Sequence, residues 1–330
     1  MKFRLLLLAS PLLLAACDHQ TAPVRLYFIA SSRFTSSNRL GVQPADTLAT
    51  RLFAVADADG GKLLRNVRVT VTYTPSYQPF AYPSPITAFV YSRVPPGETT
   101  VYLDSTFTQP GPKDFLLTSV LGVRTTSGAE RWEYTATDTD GNSSTRSFAA
   151  TVRRSDSLNV YHDYTLRLNV PTRGVSARRF IQLKPGLALP AYTVLGTSSN
   201  PLPDQRALTD VVQSVDGLSL FSPDSLTVGP PPNVAAWPAS QRRRTRFTLT
   251  TLDQTGYGNL QDVNGIRQQF SLPGRGVIRR LVAGQVYAFR TDSLPGSGQR
   301  PAFGLLRVAS VPGGTAAGLQ LQVRVAKRPL

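Results

Sequence analysis

From Val67 to Thr74 apolar and polar side chains alternate at every step. Val67, Val69, Val71 and Tyr73 fall on one parity, and Arg68, Thr70, Thr72 and Thr74 on the other. Successive side chains of a strand point to opposite faces, so this period of two predicts a strand with one buried face. Its β-branched and aromatic content suits a pleated, half-buried surface. Shorter runs of the same character begin at Leu26 and Phe28, span Leu52 to Ala56 and recur at Val101 to Leu103. Pro75, Pro79, Pro83, Pro85, Pro95 and Pro96 forbid a sustained helix between them and predict a long loop with a short edge strand. Arg131 to Thr137 alternates, Asp138-Thr139-Asp140-Gly141-Asn142 turns, and Ser147 to Val152 alternates back, which predicts a hairpin.

The second half is patterned less cleanly. A polar stretch from Arg153 to Leu158 reads as a linker, after which Tyr164, Leu166, Leu168 and Val170 alternate. Short strands are predicted at Arg178 to Leu183 and from Val211 and Val212. Proline and glycine break the chain from Pro185 to Pro203, Ser222-Pro223-Asp224 signals a turn, and Gly229-Pro230-Pro231-Pro232 signals a rigid loop. Phe247 and Leu249 share one side of a strand. Leu252, Tyr257, Leu260, Val263 and Ile266 recur near helical spacing with Thr251 as N-cap. Gly256, Gly258 and Gly265 weaken that pattern, so one or two short helices are expected between 251 and 270. Val286 to Arg290, Leu305 to Val311 and Leu319 to Val325 close the chain as strands.

The run WEYTATDTDGNSSTRSF resembles the final hairpin of immunoglobulin-like or PKD-like domains of bacterial surface proteins. A segment of about 130 residues with regular turns also suits such a sandwich. In the second half RRTRFTLTTLDQ, LVAGQVYAFRTD, FGLLRVASV and LQLQVRVAKR, in that order, resemble a C-terminal β-rich module of Bacteroidetes lipoproteins, where it likewise follows an immunoglobulin-like domain. The resemblance implies an all-β chain: an immunoglobulin-like β-sandwich over 24–154, then a β-rich domain over 155–330 with one or two short helices. Its motifs are patterns of burial and imply no chemistry.

Composition agrees with this picture. Hydrophobic residues make up 41% of the chain, enough for real cores, and 25 glycines with 26 prolines favour short strands joined by turns. The formal net charge is +16, and 20 of the basic residues against 9 acidic ones lie from Ser155 onward. Such a field attracts lipid headgroups and acidic glycans without selecting among them, and gives no sign of specific nucleic-acid recognition. Arginine as a general solubilising residue is the plainer account of the same excess.

The first residues change the picture more. Lys2 and Arg4 precede an apolar stretch from Leu5 to Leu14, interrupted by Pro11 and too short to span a bilayer. Leu14-Ala15-Ala16-Cys17 follows, containing the only cysteine, and resembles the lipobox of bacterial lipoproteins. The resemblance implies a signal peptide over residues 1–16, and a Cys17 that becomes the first residue and carries several acyl chains, palmitate among them. Because a single chain holds a protein only marginally, several make the anchor durable. Residues 17–23 are then a lipidated tether. The six residues between Cys17 and Val24 reach at most about 20 Å, which keeps the first domain close to the lipid. Asp18 resembles an inner-membrane retention signal of proteobacterial lipoproteins, but other phyla sort by other rules. The expected location is the cell envelope, with the outer membrane favoured, on its periplasmic or surface face.

Catalytic chemistry finds little purchase. The two histidines are His19, in the tether, and His162, beside Asp163. The chain has no G-x-S-x-G elbow and no P-loop, and Gly256-Tyr257-Gly258 and Gly274-Arg275-Gly276 lack the third glycine of a dinucleotide site. Asp57 with Asp59 and Asp138 with Asp140 are local pairs before glycine, the place of turn aspartates, although paired carboxylates could also take calcium. The candidate ligand-binding residues are Trp237 and the run Arg242, Arg243, Arg244 and Arg246. An indole beside guanidinium groups could stack on a sugar while the arginines take its acidic groups. The alternative places Trp237 over the core, with the arginines along a solvated edge. The sequence therefore predicts a non-enzymatic envelope lipoprotein without catalytic residues, metal or cofactor, acting as an interaction or structural module toward envelope proteins. The other expectation is a carbohydrate-binding accessory lipoprotein of a glycan-uptake system.

Overall fold

The structure, a computed structural model, describes residues 22–43, 46–57, 60–75, 97–124, 128–152, 161–169, 177–196, 205–226, 237–294, 301–313 and 318–326. The predicted leader, Cys17, most of the proline-rich loop, the polar linker and the Gly229–Pro232 loop lie outside these residues. The fold is all-β, and the described residues form four sheets.

The first half is a two-sheet β-sandwich. One sheet has the order β1-β3-β6, from Val24–Phe28, Thr47–Ala56 and Asp114–Gly122. The other runs β2-β8-β7-β4-β5, from Arg39–Val42, Ser143–Val152, Gly128–Asp138, Leu64–Pro75 and Glu98–Thr106. The alternation read from the sequence is the alternation of burial. Val67, Val69, Val71 and Tyr73 are buried, and the hairpin pairs Thr137 with Ser143 across its turn. Leu26, Leu52 and Ala54 of one sheet meet Val67, Val69, Trp132, Tyr134 and Phe148 of the other. The hydroxyls of Thr50 and Tyr134 hydrogen-bond across the gap at 2.9 Å. At β5 strict alternation fails. Val69 pairs with Leu103 and Thr70 with Val101, so Tyr102 is the extra residue of a bulge and is buried beside Val101.

The second half builds two more sheets. A third has the order β11-β10-β12-β13-β15, from Leu187–Pro190, Arg178–Gln182, Val211–Gln213, Leu220–Phe221 and Val277–Ile278. A fourth has the order β14-β16-β17-β18-β9, from Thr245–Leu249, Val286–Thr291, Ala302–Ser310, Gly318–Ala326 and Tyr161–Asn169. Ile181, Val211, Leu220 and Ile278 of the third sheet pack against Phe247, Phe289, Leu306 and Val323 of the fourth. The opposite face of the third sheet, carrying Phe180, Leu187, Leu189 and Val212, joins the core of the first sandwich. The third sheet is thus covered on both faces. Every residue of β11 and β12 is buried, which explains why no period of two marks them in the sequence.

The described residues also hold four short α-helices. α1 (Ala191–Leu195) lies where proline and glycine predicted only broken chain, and α2 (Gln205–Leu208) follows just beyond that stretch. Thr193 Oγ1 donates to the Tyr102 carbonyl at 2.6 Å, and the Tyr192 ring meets that of Tyr102 at 5.7 Å. The two short helices expected between 251 and 270 are α3 (Gln254–Asn259) and α4 (Val263–Gln268). They cover the outer face of the fourth sheet through Tyr257 and Ile266. The N-cap is not Thr251: Asp253 Oδ1 accepts from Gly256 N and Asp262 Oδ1 from Gly265 N, each at 2.7 Å. Two aspartates at equivalent places divide the predicted pattern into two helices. Phe247 is buried as expected, but Leu249, on the same parity, is exposed at the strand end.

In the central strand of the fourth sheet Gly304 makes room for a ring. A Cβ there would stand 2.2 Å from the Arg324 carbonyl oxygen and 2.4 Å from Phe289 Cζ. Gly304→Ala should therefore lower stability by about 1–3 kcal/mol through overpacking, read as a lower urea midpoint with an unchanged slope.

Candidate functional site

The candidate segment begins at Trp237, and its indole is wholly enclosed. The ring packs against Phe180 at 6.0 Å between centroids, and its Nε1 donates to the Gln241 carbonyl at 2.9 Å. Arg242 Nε donates back to the Trp237 carbonyl at 2.9 Å, so the two side chains close the single 3₁₀ turn Ala239–Gln241 from both ends. This corrects the expectation of an exposed stacking platform. A tryptophan in a core has no face left for a sugar.

Beyond Arg242 the chain enters β14, and alternation sends Arg243 and Thr245 inward and Arg244 outward. Arg243 is buried and uses its whole fork. Nη1 donates to Asp210 Oδ1 at 2.6 Å, Nε to the Asp292 carbonyl at 2.8 Å and Nη2 to Thr291 Oγ1 at 3.1 Å. Asp210 Oδ2 accepts from Leu183 N at 2.7 Å, and the Asp210 carbonyl accepts from Thr245 Oγ1 at 2.8 Å. The Tyr164 hydroxyl donates to the Leu183 carbonyl. Ser222 Oγ accepts from Thr245 N at 2.7 Å. Leu183 follows β10, Asp210 precedes β12, and Thr291 ends β16, so one polar network joins the ends of the third and fourth sheets. Burial pushes the Asp210 carboxyl up from its ordinary value, while the Arg243 guanidinium and the Leu183 amide pull it down. The other two arginines are nearer solvent. Arg246 grips both oxygens of Asp224, at 2.9 and 2.6 Å. Arg244 is exposed and lies 3.7 Å from Asp292. The run therefore presents no shared cationic face: Arg243 is internal, Arg242 binds backbone carbonyls and Arg246 is paired.

Two further arginines, which sequence reasoning passed over, do comparable work. Arg324 of β18 is buried between the rings of Tyr161 and Tyr257, 4.6 Å from each centroid. It donates to Asp163 Oδ2 at 2.7 Å and to the carbonyls of Tyr257 and Leu260 at 2.8 and 2.6 Å. These carbonyls end α3, where helical partners run out, so the guanidinium fastens the helix to the sheet. The signal in the sequence was only an arginine within an alternating strand. Its meaning depends on the register that sets Arg324 opposite Asp163. In the first half Glu130 is buried and accepts from Arg124 N at 3.2 Å and Trp132 Nε1 at 3.1 Å. Burial raises the Glu130 carboxyl, and the Arg124 guanidinium opposes the rise.

The remaining candidates separate in space. His162 and Asp163 are neighbours in β9 and point to opposite faces, and Asp163 is held by Arg324. Asp138 is buried inside its own hairpin. Oδ1 accepts from Asp140 N and Asn142 N at 2.9 and 2.8 Å, and Oδ2 accepts from Asn142 Nδ2 at 2.9 Å. Asp140 turns instead to Lys62 at 3.0 Å. Asp59 lies outside the described residues. Among the described residues no three His, Cys, Asp or Glu side chains cluster as metal ligands would.

No family model and no curated protein matches the chain. Among solved structures it is similar to a DUF4466 family protein from Parabacteroides merdae ATCC 43184, with 10% identity, a TM-score of 0.31, and coverage of 93% of this chain and 99% of that one. Likeness at that level carries no argument about function.

Two measurements probe the network. Arg243→Ala leaves Asp210 buried without its partner and should cost about 3–5 kcal/mol of unfolding free energy in denaturant titration. Burial pushes the Asp224 carboxyl up, but hydrogen bonds from Arg246 and Ser222 outweigh it and hold the group below its ordinary value. Its contribution to stability is thus present above the unfolded-state value and lost as pH falls through the folded one. The urea midpoint of Asp224→Asn should fall less steeply on acidification than that of the wild type.

Proposed function

We propose that the chain is a non-enzymatic lipoprotein of the cell envelope, held by acyl chains on Cys17 and serving as an interaction or structural module. The observation that carries this reading is Leu14-Ala15-Ala16-Cys17, set behind Lys2, Arg4 and a short apolar stretch, in a chain with no other cysteine. The charged groups best suited to chemistry, Arg243 with Asp210 and Arg324 with Asp163, meet each other and the backbone. Pairs of this kind order a fold. The glycan-binding reading rested on Trp237 and loses that support with the indole enclosed. Recognition by this protein then belongs to its outer surfaces, offered from a body tethered near the lipid, with proteins of the envelope as partners.

Metabolic labelling with a clickable fatty acid tests the anchor. The wild-type protein should take the label and remain with membranes in high salt, and Cys17→Ser should lose the label and become soluble. An unlabelled wild type would falsify the reading.

A further inference from the structure

One face of the sandwich carries a row of exposed apolar side chains. In the β1-β3-β6 sheet the register aligns Tyr27, Phe53 and Leu116 in a row across all three strands. Their parity is opposite to that of Leu26, Leu52 and Leu117, which face the core, so the row points away from the molecule. Tyr27 is 46% exposed and Leu116 52%. Ile29 at 38% and Val120 at 42% extend the apolar surface beyond the row. A strand face in a monomer ordinarily alternates apolar inside with polar outside. Exposed apolar side chains set side by side mark a surface that another body covers.

Two observations identify that body. The first is where the chain enters. β1 is an edge strand of this sheet, it starts at Val24, and the six residues from Asp18 to Pro23 join it to Cys17. A tether of that length reaches at most about 20 Å, comparable to the length of the strand itself. The second is charge. Arg25 sits on this parity one step from Tyr27, and Arg51 lies between the Phe53 row and Ala49, its guanidinium 4.4 Å from the Phe34 ring. The exposed Arg33 flanks the same ring at 5.7 Å. Asp114 is the one carboxylate on the parity within β6. Apolar side chains bordered by arginine fit the boundary between acyl chains and anionic headgroups, where arginine stems lie along apolar surface and their heads reach phosphate.

We propose that the outer face of the β1-β3-β6 sheet docks on an anionic lipid bilayer, laying the sandwich flat on the membrane that holds Cys17. This rests on the lipid anchor proposed above. The anchor sets the distance, and the face sets the orientation. The outer face of the opposite sheet, which carries the hydrogen-bonded Thr135 and Thr145, then points away from the lipid. That side would be left for partners.

With Cys17 acylated the mature chain has no free thiol, so Leu116→Cys or Thr145→Cys in the full-length protein can each carry one environment-sensitive fluorophore. The labelled proteins are reconstituted into phosphatidylcholine vesicles containing phosphatidylglycerol, with bromine on the acyl chains. The label at 116 should be quenched several-fold more than the label at 145, and Arg25→Glu with Arg51→Glu should reduce the difference. Equal quenching at the two positions overturns the docking. So does self-quenching at 116 that rises with protein density without bromine quenching, because a second copy then covers the face. Flotation of the same vesicles reports the anchor separately. Protein that floats without a difference between labels refutes the docking and leaves the anchor standing. Protein that fails to float refutes the anchor and the docking with it.

Discussion

The Arg243–Asp210 pair closes a sheet that has no solvated face. The third sheet lies between the fourth sheet and the core of the first sandwich, so the polar groups at its strand ends cannot turn to water. An unmet amide or carboxylate there would cost several kilocalories per mole. One guanidinium meets a carboxylate, a carbonyl and a hydroxyl, and the carboxylate in turn meets the Leu183 amide. The order of the second half depends on this exchange, because it fixes how β10, β12, β14 and β16 end relative to one another.

The same solution recurs. Arg324 ties α3 to the fourth sheet through Asp163, and Arg124 sits beside Glu130 under the Tyr73 ring. In each case residues far apart in sequence or on different elements are brought to one guanidinium, whose planar fork suits several acceptors at once. A chain with its single cysteine at position 17 has no disulfide to do this. Part of the arginine excess that suggested an anionic partner is therefore internal fastening. Buried pairs of this kind add little net stability, but they penalise any packing that separates them.

What remains outside is correspondingly uneven. The covered sheets spend their apolar residues on one another, and the outer face of the β1-β3-β6 sheet keeps Tyr27, Leu116 and Val120 in view. Its position beside the start of β1 gives those side chains a physical context that a scattered exposed leucine such as Leu272 lacks. Arg243, Asp210 and Arg324 are engaged with one another's elements, which directs attention to the outer faces.

The sequence by itself determined the half-buried strands. Val67 to Thr74 and the β7–β8 hairpin each have one wetter and one dry face, and alternation records that difference residue by residue. It also carried the lipobox resemblance, because a leader is read by local pattern. It could not show that β11 and β12 are buried on both faces, that Tyr102 sits in a bulge, or that Asp253 and Asp262 cap two helices. Each of these depends on what lies opposite. Trp237 and Arg243 show the limit most clearly. As letters, an indole near four arginines suits a binding site as well as a core. Only the packing of the third sheet against its neighbours enclosed the ring and gave the guanidinium its partner, because burial and pairing are properties of contacts between distant segments.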